Sequence, residues 1–119
     1  MRTLRNISFV LMFLLFPITL ISQWVKTNGP NGGPFMSIIA SGNYVYAGSY
    51  NYGIFRSSNN GASWSPCGLN ALRYTIRSFA DTESMIFAGT AGEGVYRSGN
   101  NGQDWVLSGL NYRYVNALA

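Results

Sequence analysis

The chain has 119 residues, a length typical of one small domain. Its net charge is +4, but the basic residues are scattered, so the composition argues against a nucleic-acid-binding surface. Histidine is absent and Cys67 is the single cysteine, which excludes an internal disulfide and disfavours the usual zinc sites. Without a histidine to activate it, we expect Cys67 to be a small buried apolar residue and not a nucleophile.

The first residues have the pattern of a secretory signal peptide. Arg2 and Arg5 precede an apolar run over residues 7–21, and Ser22 is a small residue suited to cleavage. The run is shorter than the roughly 20 residues that span a bilayer. We predict that residues 1–22 are a helical, cleaved signal peptide; a retained membrane anchor and a buried helix are the alternatives. Residues 23–119 are then secreted, at the cell surface or periplasmic, and free of the membrane.

Four blocks of the sequence recur with one spacing of 41 residues, which indicates an internal repeat. A fifth block recurs with spacings of 40 and 39 residues, as Ile38–Ala40, Ser78–Ala80 and Ala117–Ala119. The four regular blocks are Tyr46–Gly48 with Phe87–Gly89, Gly53–Ser57 with Gly94–Ser98, Asn60, Gly61 and Trp64 with Asn101, Gly102 and Trp105, and Gly68–Asn70 with Gly109–Asn111.

Each repeat predicts four short β-strands, because apolar and β-branched runs alternate with turn residues. In the first repeat these runs are Met36–Ala40, Tyr44–Ala47, Gly53–Ser57 and Ser63–Cys67. Four strands in about 40 residues is the size of a β-propeller blade. We therefore predict an all-β fold with two four-stranded antiparallel blades, at about 36–67 and 76–108. Trp24 and residues 115–119 are expected to be strands of neighbouring blades.

The segments Ser57–Trp64 and Ser98–Trp105 resemble the Asp-box, or bacterial neuraminidase repeat, whose pattern is Ser-x-Asp-x-Gly-x-(Ser/Thr)-Trp. Asn59 and Asn100 stand where that family usually has Asp, and Asp104 replaces the Ser or Thr. The resemblance implies a β-propeller of the sialidase-like or sortilin-like kind. The residues expected to build the two structural turns are Ser57, Asn59, Gly61, Trp64, Ser98, Asn100, Gly102 and Trp105.

The chemistry of such a turn is that of a folding device. Asn side chains hydrogen-bond nearby backbone amides, Gly accepts left-handed angles, and Trp covers the sheet with a large apolar surface. In the resembling families the boxes lie at the blade periphery, away from any reacting centre. We therefore assign these residues no catalytic role.

Candidate catalytic groups are few. Glycosidases use two carboxyl groups, but Asp81, Glu83, Glu93 and Asp104 all fall in predicted loops and turns. Arg56 and Arg97 recur with the repeat, so we expect solvated strand residues and not the arginine cluster of a sialidase. We predict no catalytic, cofactor-binding or metal-binding residues and no cofactor. The loop tyrosines Tyr50, Tyr52, Tyr112 and Tyr114 are candidates for a sugar- or peptide-binding surface.

The sequence favours an exported, non-catalytic β-propeller that serves as a binding or scaffold module for a glycan or protein ligand. One alternative is a fragment of a sialidase-like or xyloglucanase-like glycoside hydrolase whose active residues lie outside this chain. Another is a cell-surface adhesion protein with a C-terminal sorting module. Two blades alone leave apolar faces and strand edges open. We therefore expect the remaining blades to come from the rest of a longer product.

Overall fold

The computed structural model describes residues 29–30 and 33–119. The predicted signal peptide and the strand predicted at Trp24 lie outside the described residues. In the part of the chain that is described, eight strands form two four-stranded antiparallel sheets, and each sheet keeps its strands in chain order. The first sheet consists of β1 (Phe35–Ser41), β2 (Tyr44–Ser49), β3 (Ile54–Ser57) and β4 (Ser65–Gly68), and the second of β5 (Ile76–Asp81), β6 (Ile86–Thr90), β7 (Val95–Ser98) and β8 (Val106–Gly109).

For the described residues, the prediction of an all-β fold with two four-stranded antiparallel units is confirmed. The two sheets also share their irregularities, since β1 and β5 each carry an extra residue near their starts, and β4 and β8 each carry one, Cys67 and Ser108, where they pair with β3 and β7. Strand β4 begins at Ser65 and not at Ser63, because Ser63 belongs to the preceding turn.

The alignment of the first strands was wrong by one residue. Ile38 pairs with Ala47, and Phe79 pairs with Ala88, so Phe79 is the counterpart of Ile38. The first strands therefore keep the spacing of 41 residues found elsewhere in the repeat. Residues 115–119, expected to open a third blade, form no strand, although Val115 is buried.

The core lies between the two sheets and is formed by Tyr46, Ile54, Ile76, Ile86 and Ala88. Ile76 approaches the first sheet closely because Gly48 has no side chain. A Cβ at Gly48 would lie 2.7 Å from the Ile76 side chain. In the described part of the chain, no helix has the length and apolar character needed to cross a membrane.

The hydrogen bond between the first sheet and Ile76, at the start of the second sheet, has an equivalent between the second sheet and Val115. Ser37 Oγ donates to the carbonyl of Ile76 at 3.0 Å, and Ser78 Oγ donates to the carbonyl of Val115 at 3.3 Å. Val115 also packs against Gly89, as Ile76 packs against Gly48. Val115 thus occupies, beside the second sheet, the place that Ile76 occupies beside the first.

Candidate functional site

The first box turn, Ser57–Trp64, is closed by two side chains that act on the backbone. Ser57 Oγ accepts hydrogen bonds from the amides of Asn59 at 3.3 Å and Gly61 at 2.8 Å. Asn59 Oδ1 accepts from the Ser57 hydroxyl at 2.8 Å and from the Ser63 amide at 2.9 Å. Asn60 and Gly61 have φ values of 57° and 87°, the left-handed region that Asn and Gly tolerate best.

The second box turn, Ser98–Trp105, repeats these bonds and shows what the exchanged residues do. Asn100 Oδ1 accepts from the Ser98 hydroxyl at 2.9 Å and from the Asp104 amide at 2.9 Å. Its Nδ2 donates to the Asp104 carboxylate at 2.8 Å, whereas Asn59 Nδ2 donates to the Ser63 hydroxyl at 2.7 Å. An aspartate could not donate this bond, so Asn100 and Asp104 form a matched pair.

The two tryptophans of the box turns have the same local geometry but different surroundings. Each indole Nε1 donates to a carbonyl of its own turn at 3.1 Å, Trp64 to Gly61 and Trp105 to Gly102. Trp105 Nε1 also donates to the carbonyl of Cys67 in the first sheet at 3.2 Å. The second box turn therefore joins the two sheets.

Arg56 does not have the expected solvated position. Its side chain is half-buried, with the guanidinium 4.5 Å from the ring centroid of Tyr44, and it donates to the carbonyl of Asn101 in the second box turn. Its counterpart Arg97 is exposed, as predicted for both. The difference arises because Arg56 faces the other sheet, a neighbour that its local sequence does not reveal.

The remaining reactive groups lie apart from one another. Asp81 and Glu83 line a cleft of about 420 Å³ beside the second box turn, but both are exposed, Asp81 at the end of β5 and Glu83 in the loop that follows. They lack the apolar surroundings of a glycosidase general acid. Burial raises the pKa of the Cys67 thiol to about 12, which keeps it protonated. No cluster of metal-ligating side chains occurs among residues 29–30 and 33–119.

The opposite end of the sheets carries most of the exposed aromatic surface. It is formed by the β2–β3 and β6–β7 loops and by the segments that follow β4 and β8, and we call it the tyrosine-rich end. Tyr112 and Tyr114 are 85% and 71% exposed. Its tyrosines are Tyr50, Tyr52, Tyr74, Tyr96, Tyr112 and Tyr114.

Thr75 holds the loops of this end together. Its hydroxyl accepts from the Asn51 amide at 3.0 Å and donates to Asn51 Oδ1 at 3.2 Å. Its carbonyl accepts from the Ala91 amide at 3.0 Å, which ties the β6–β7 loop of the second sheet to the same residue. One buried threonine thus fixes the loops of both sheets.

Further bonds attach the tyrosines to these loops. Asn70 Nδ2 donates to the carbonyl of Tyr52 at 2.6 Å, and the Gly53 amide donates to the carbonyl of Tyr74 at 2.9 Å. The amide of Gly94 donates to the carbonyl of Arg113, between Tyr112 and Tyr114, at 3.2 Å. The backbone that presents the exposed rings is therefore fixed at several points.

Tyr74 and Tyr96 are the half-buried tyrosines of this end, and their rings pack against each other. Their ring centroids are 5.7 Å apart, with an angle of 49° between the rings. Burial raises the pKa of Tyr96 to about 12, with further contributions from Tyr74, Glu93 and Tyr112. The Tyr96 hydroxyl therefore remains a hydrogen-bond donor at all physiological pH values. Rigid rings with polar edges suit ligands that offer both apolar faces and hydroxyl or amide groups.

The four loop tyrosines that the sequence singled out all lie at this end. The sequence did not indicate Tyr74 and Tyr96, nor the role of Thr75, because Tyr96 lies in strand β7 and Tyr74 and Thr75 precede β5. Comparisons with protein-family models, with curated protein sequences and with solved structures find no match for this chain.

Proposed function

We propose that this chain is an exported, non-catalytic binding or scaffold module whose sheets are β-propeller blades of the Asp-box type. Its ligand, a glycan or a protein segment, binds at the tyrosine-rich end. The observation that carries the proposal is the gathering of exposed tyrosines from both sheets at one end, on loops fixed by Thr75. Export rests on the signal-like sequence of residues 1–22.

The blade assignment is supported by the repeated geometry. Both sheets have four antiparallel strands in chain order, and both box turns have the same hydrogen bonds. The sheets pack through their faces, and the apolar Phe35 and Ile38 stay 36% and 69% exposed on the face of the first sheet that points away from the second. Blades of a propeller bury such faces against neighbouring blades.

The binding role is supported by the distribution of side chains at the tyrosine-rich end. Tyrosine offers a large contact area and loses little conformational entropy when it is fixed, so it dominates many recognition surfaces. The segments that carry the rings also carry Arg73, Arg113 and Glu93, so this end has two positive charges and one negative charge. A neutral or weakly charged ligand with apolar faces therefore fits this end better than a polyanion.

A glycan array and a peptide array, both probed with the complete chain, test the proposal. We expect the double variant Tyr112→Ala/Tyr114→Ala to lose about tenfold or more of the affinity for any ligand found. Val106→Ala removes an exposed apolar side chain from β8 and serves as the matched control. Equal binding by the double variant, or hydrolysis of a fluorogenic sialoside by the chain, would contradict the proposal.

A further inference from the structure

Within residues 29–30 and 33–119, each sheet presents one face that is covered by the other sheet and one face that is not. The open face of the second sheet is formed by Phe87, Arg97 and Gly109. These residues are the repeat counterparts of Tyr46, Arg56 and Gly68, which the second sheet covers on the first. The open face of the first sheet is formed by Phe35, Ile38 and Trp64, which are the counterparts of Ile76, Phe79 and Trp105.

The two open faces therefore carry residues equivalent to the two sides of the interface between the first and the second sheet. Inside the chain, Trp105 lies so close to Gly68 that a Cβ there would overlap the indole ring. A Cβ at Gly109 would meet no atom within 4 Å, so the corresponding place beside the second sheet is open. Trp64 already has the conformation of Trp105, since each donates Nε1 to its own turn at 3.1 Å.

The apolar residues around the two tryptophans follow the same relation. Ile76 is 0% exposed where it meets the first sheet, whereas its counterpart Phe35 is 36% exposed. Phe79 packs against Tyr46 with ring centroids 6.4 Å apart and the rings tilted by 47°, whereas its counterpart Ile38 is 69% exposed. The residues that would complete a second interface are thus present and uncovered in the described structure.

We propose that a second copy of this chain covers the second sheet with its own first sheet, so that its Trp64 lies over Gly109. By analogy with the internal interface, the partner's Trp64 donates Nε1 to the carbonyl of Ser108, as Trp105 does to Cys67. Arg97 donates to the carbonyl of the partner's Asn60, as Arg56 does to Asn101. The inference depends only on the contacts between sheets and not on the ligand of the tyrosine-rich end.

The interface is head to tail, because one copy contributes its first sheet and the other its second. Contacts of this kind close into a ring when the rotation between copies allows it. A ring would cover both open faces of every copy with a single kind of joint. The partner of this surface is therefore the chain itself.

Val115 competes with the incoming copy. Because Val115 lies beside the second sheet where the partner's Phe35 would lie, docking displaces residues 115–119 from that place. These residues form no strand, and among them Val115 alone is buried. A chain shortened to end at Tyr114 should consequently self-associate more strongly than the complete chain.

Analytical ultracentrifugation of the complete chain and of the shortened chain is the first test. We expect oligomers whose masses are whole multiples of one copy, with a larger oligomeric fraction for the shortened chain. A Cβ at Gly109 meets no atom within 4 Å, so Gly109→Leu should fill the position expected for the partner's Trp64 and reduce self-association about tenfold or more. As a control, Leu72→Ala shortens a 58% exposed side chain in the segment that joins the two sheets, outside the proposed interface, and should leave self-association unchanged.

A mixing experiment distinguishes the proposed interface between Trp64 and Gly109 from every other mode of self-association. Trp64→Ala removes the tryptophan and keeps Gly109, while Gly109→Leu keeps the tryptophan and fills the place opposite. Each variant alone should be largely monomeric, whereas the mixture should form a one-to-one dimer that grows no further. Circular dichroism checks that both variants remain folded. The proposal is overturned if the complete and the shortened chain both stay monomeric, or if the mixture forms no dimer.

Discussion

Trp105 and Gly68 meet across the two sheets, and the absence of a side chain at Gly68 is what allows the indole to lie there. Replacement Gly68→Ala should destabilise the chain by about 1–3 kcal/mol, because a methyl group would overlap the ring and force the sheets apart. The matched variant Gly109→Ala meets open space and should change the free energy of unfolding by less than about 0.5 kcal/mol. Denaturant unfolding of the dilute, monomeric chain measures both. Equal costs would mean that the indole is not held against Gly68.

The two box tryptophans should differ in their contribution to stability. Trp105→Ala removes a ring that packs across both sheets and should cost about 3–5 kcal/mol. Trp64 contacts mainly its own turn, so Trp64→Ala should cost about 1–2 kcal/mol. The two stabilities should be compared by thermal unfolding of variants that also carry Gly109→Leu. This substitution prevents Trp64 from being buried against a second copy of the chain. A Trp64→Ala variant as unstable as Trp105→Ala would show that both rings are buried to the same extent.

Restoring the aspartate of the Asp-box pattern should destabilise the second turn and leave the stability of the first turn nearly unchanged. Asn100→Asp places two carboxylates side by side and removes the bond from Nδ2 to Asp104, at a cost of about 1 kcal/mol. Asn59→Asp should be tolerated within about 0.5 kcal/mol, because the Ser63 hydroxyl can donate in place of the amide. Chemical unfolding at low salt measures the difference.

The double variant Asn100→Asp/Asp104→Ser is the control for this pair, because it gives the second turn the hydroxyl that the first turn already has. It should recover the stability lost in Asn100→Asp. If Asn59→Asp and Asn100→Asp prove equally harmful, Asp104 is not the reason.

Cys67 should make the chain less stable at alkaline pH. Its pKa is raised from 9.0 to about 12 by burial, so the unfolded chain loses the thiol proton first as the pH rises. The stabilising effect is complete below pH 9 and is lost progressively as the pH approaches 12. Thermal midpoints measured between pH 9 and pH 10, below the ordinary pKa of tyrosine, should fall more steeply for the parent chain than for Cys67→Ala. Parallel slopes would contradict the burial of the thiol.

The strands could be predicted from the sequence because their signals are local. Alternating apolar residues and repeated Asn-Gly turns define each unit without knowledge of its neighbours. The contacts between units could not be predicted in the same way. Arg56 and Arg97 occupy equivalent positions in similar sequences, yet only Arg56 meets a second sheet. The tyrosine-rich end was predicted in part. The loop tyrosines could be recognised from the sequence, but the hydrogen bonds of Thr75 to Asn51, 24 residues away, and to Ala91 depend on how the two sheets pack together.

The spacing of the tryptophan and the glycine has a consequence for the history of the gene. Within each unit, Trp64 is followed by Gly68, and Trp105 is followed by Gly109, so one period encodes both the protruding ring and the place that receives it. Duplicating a single period therefore creates a working junction without any compensating substitution. Proteins of this design can lengthen by tandem duplication, and later divergence is free to act on the loops that carry the tyrosines.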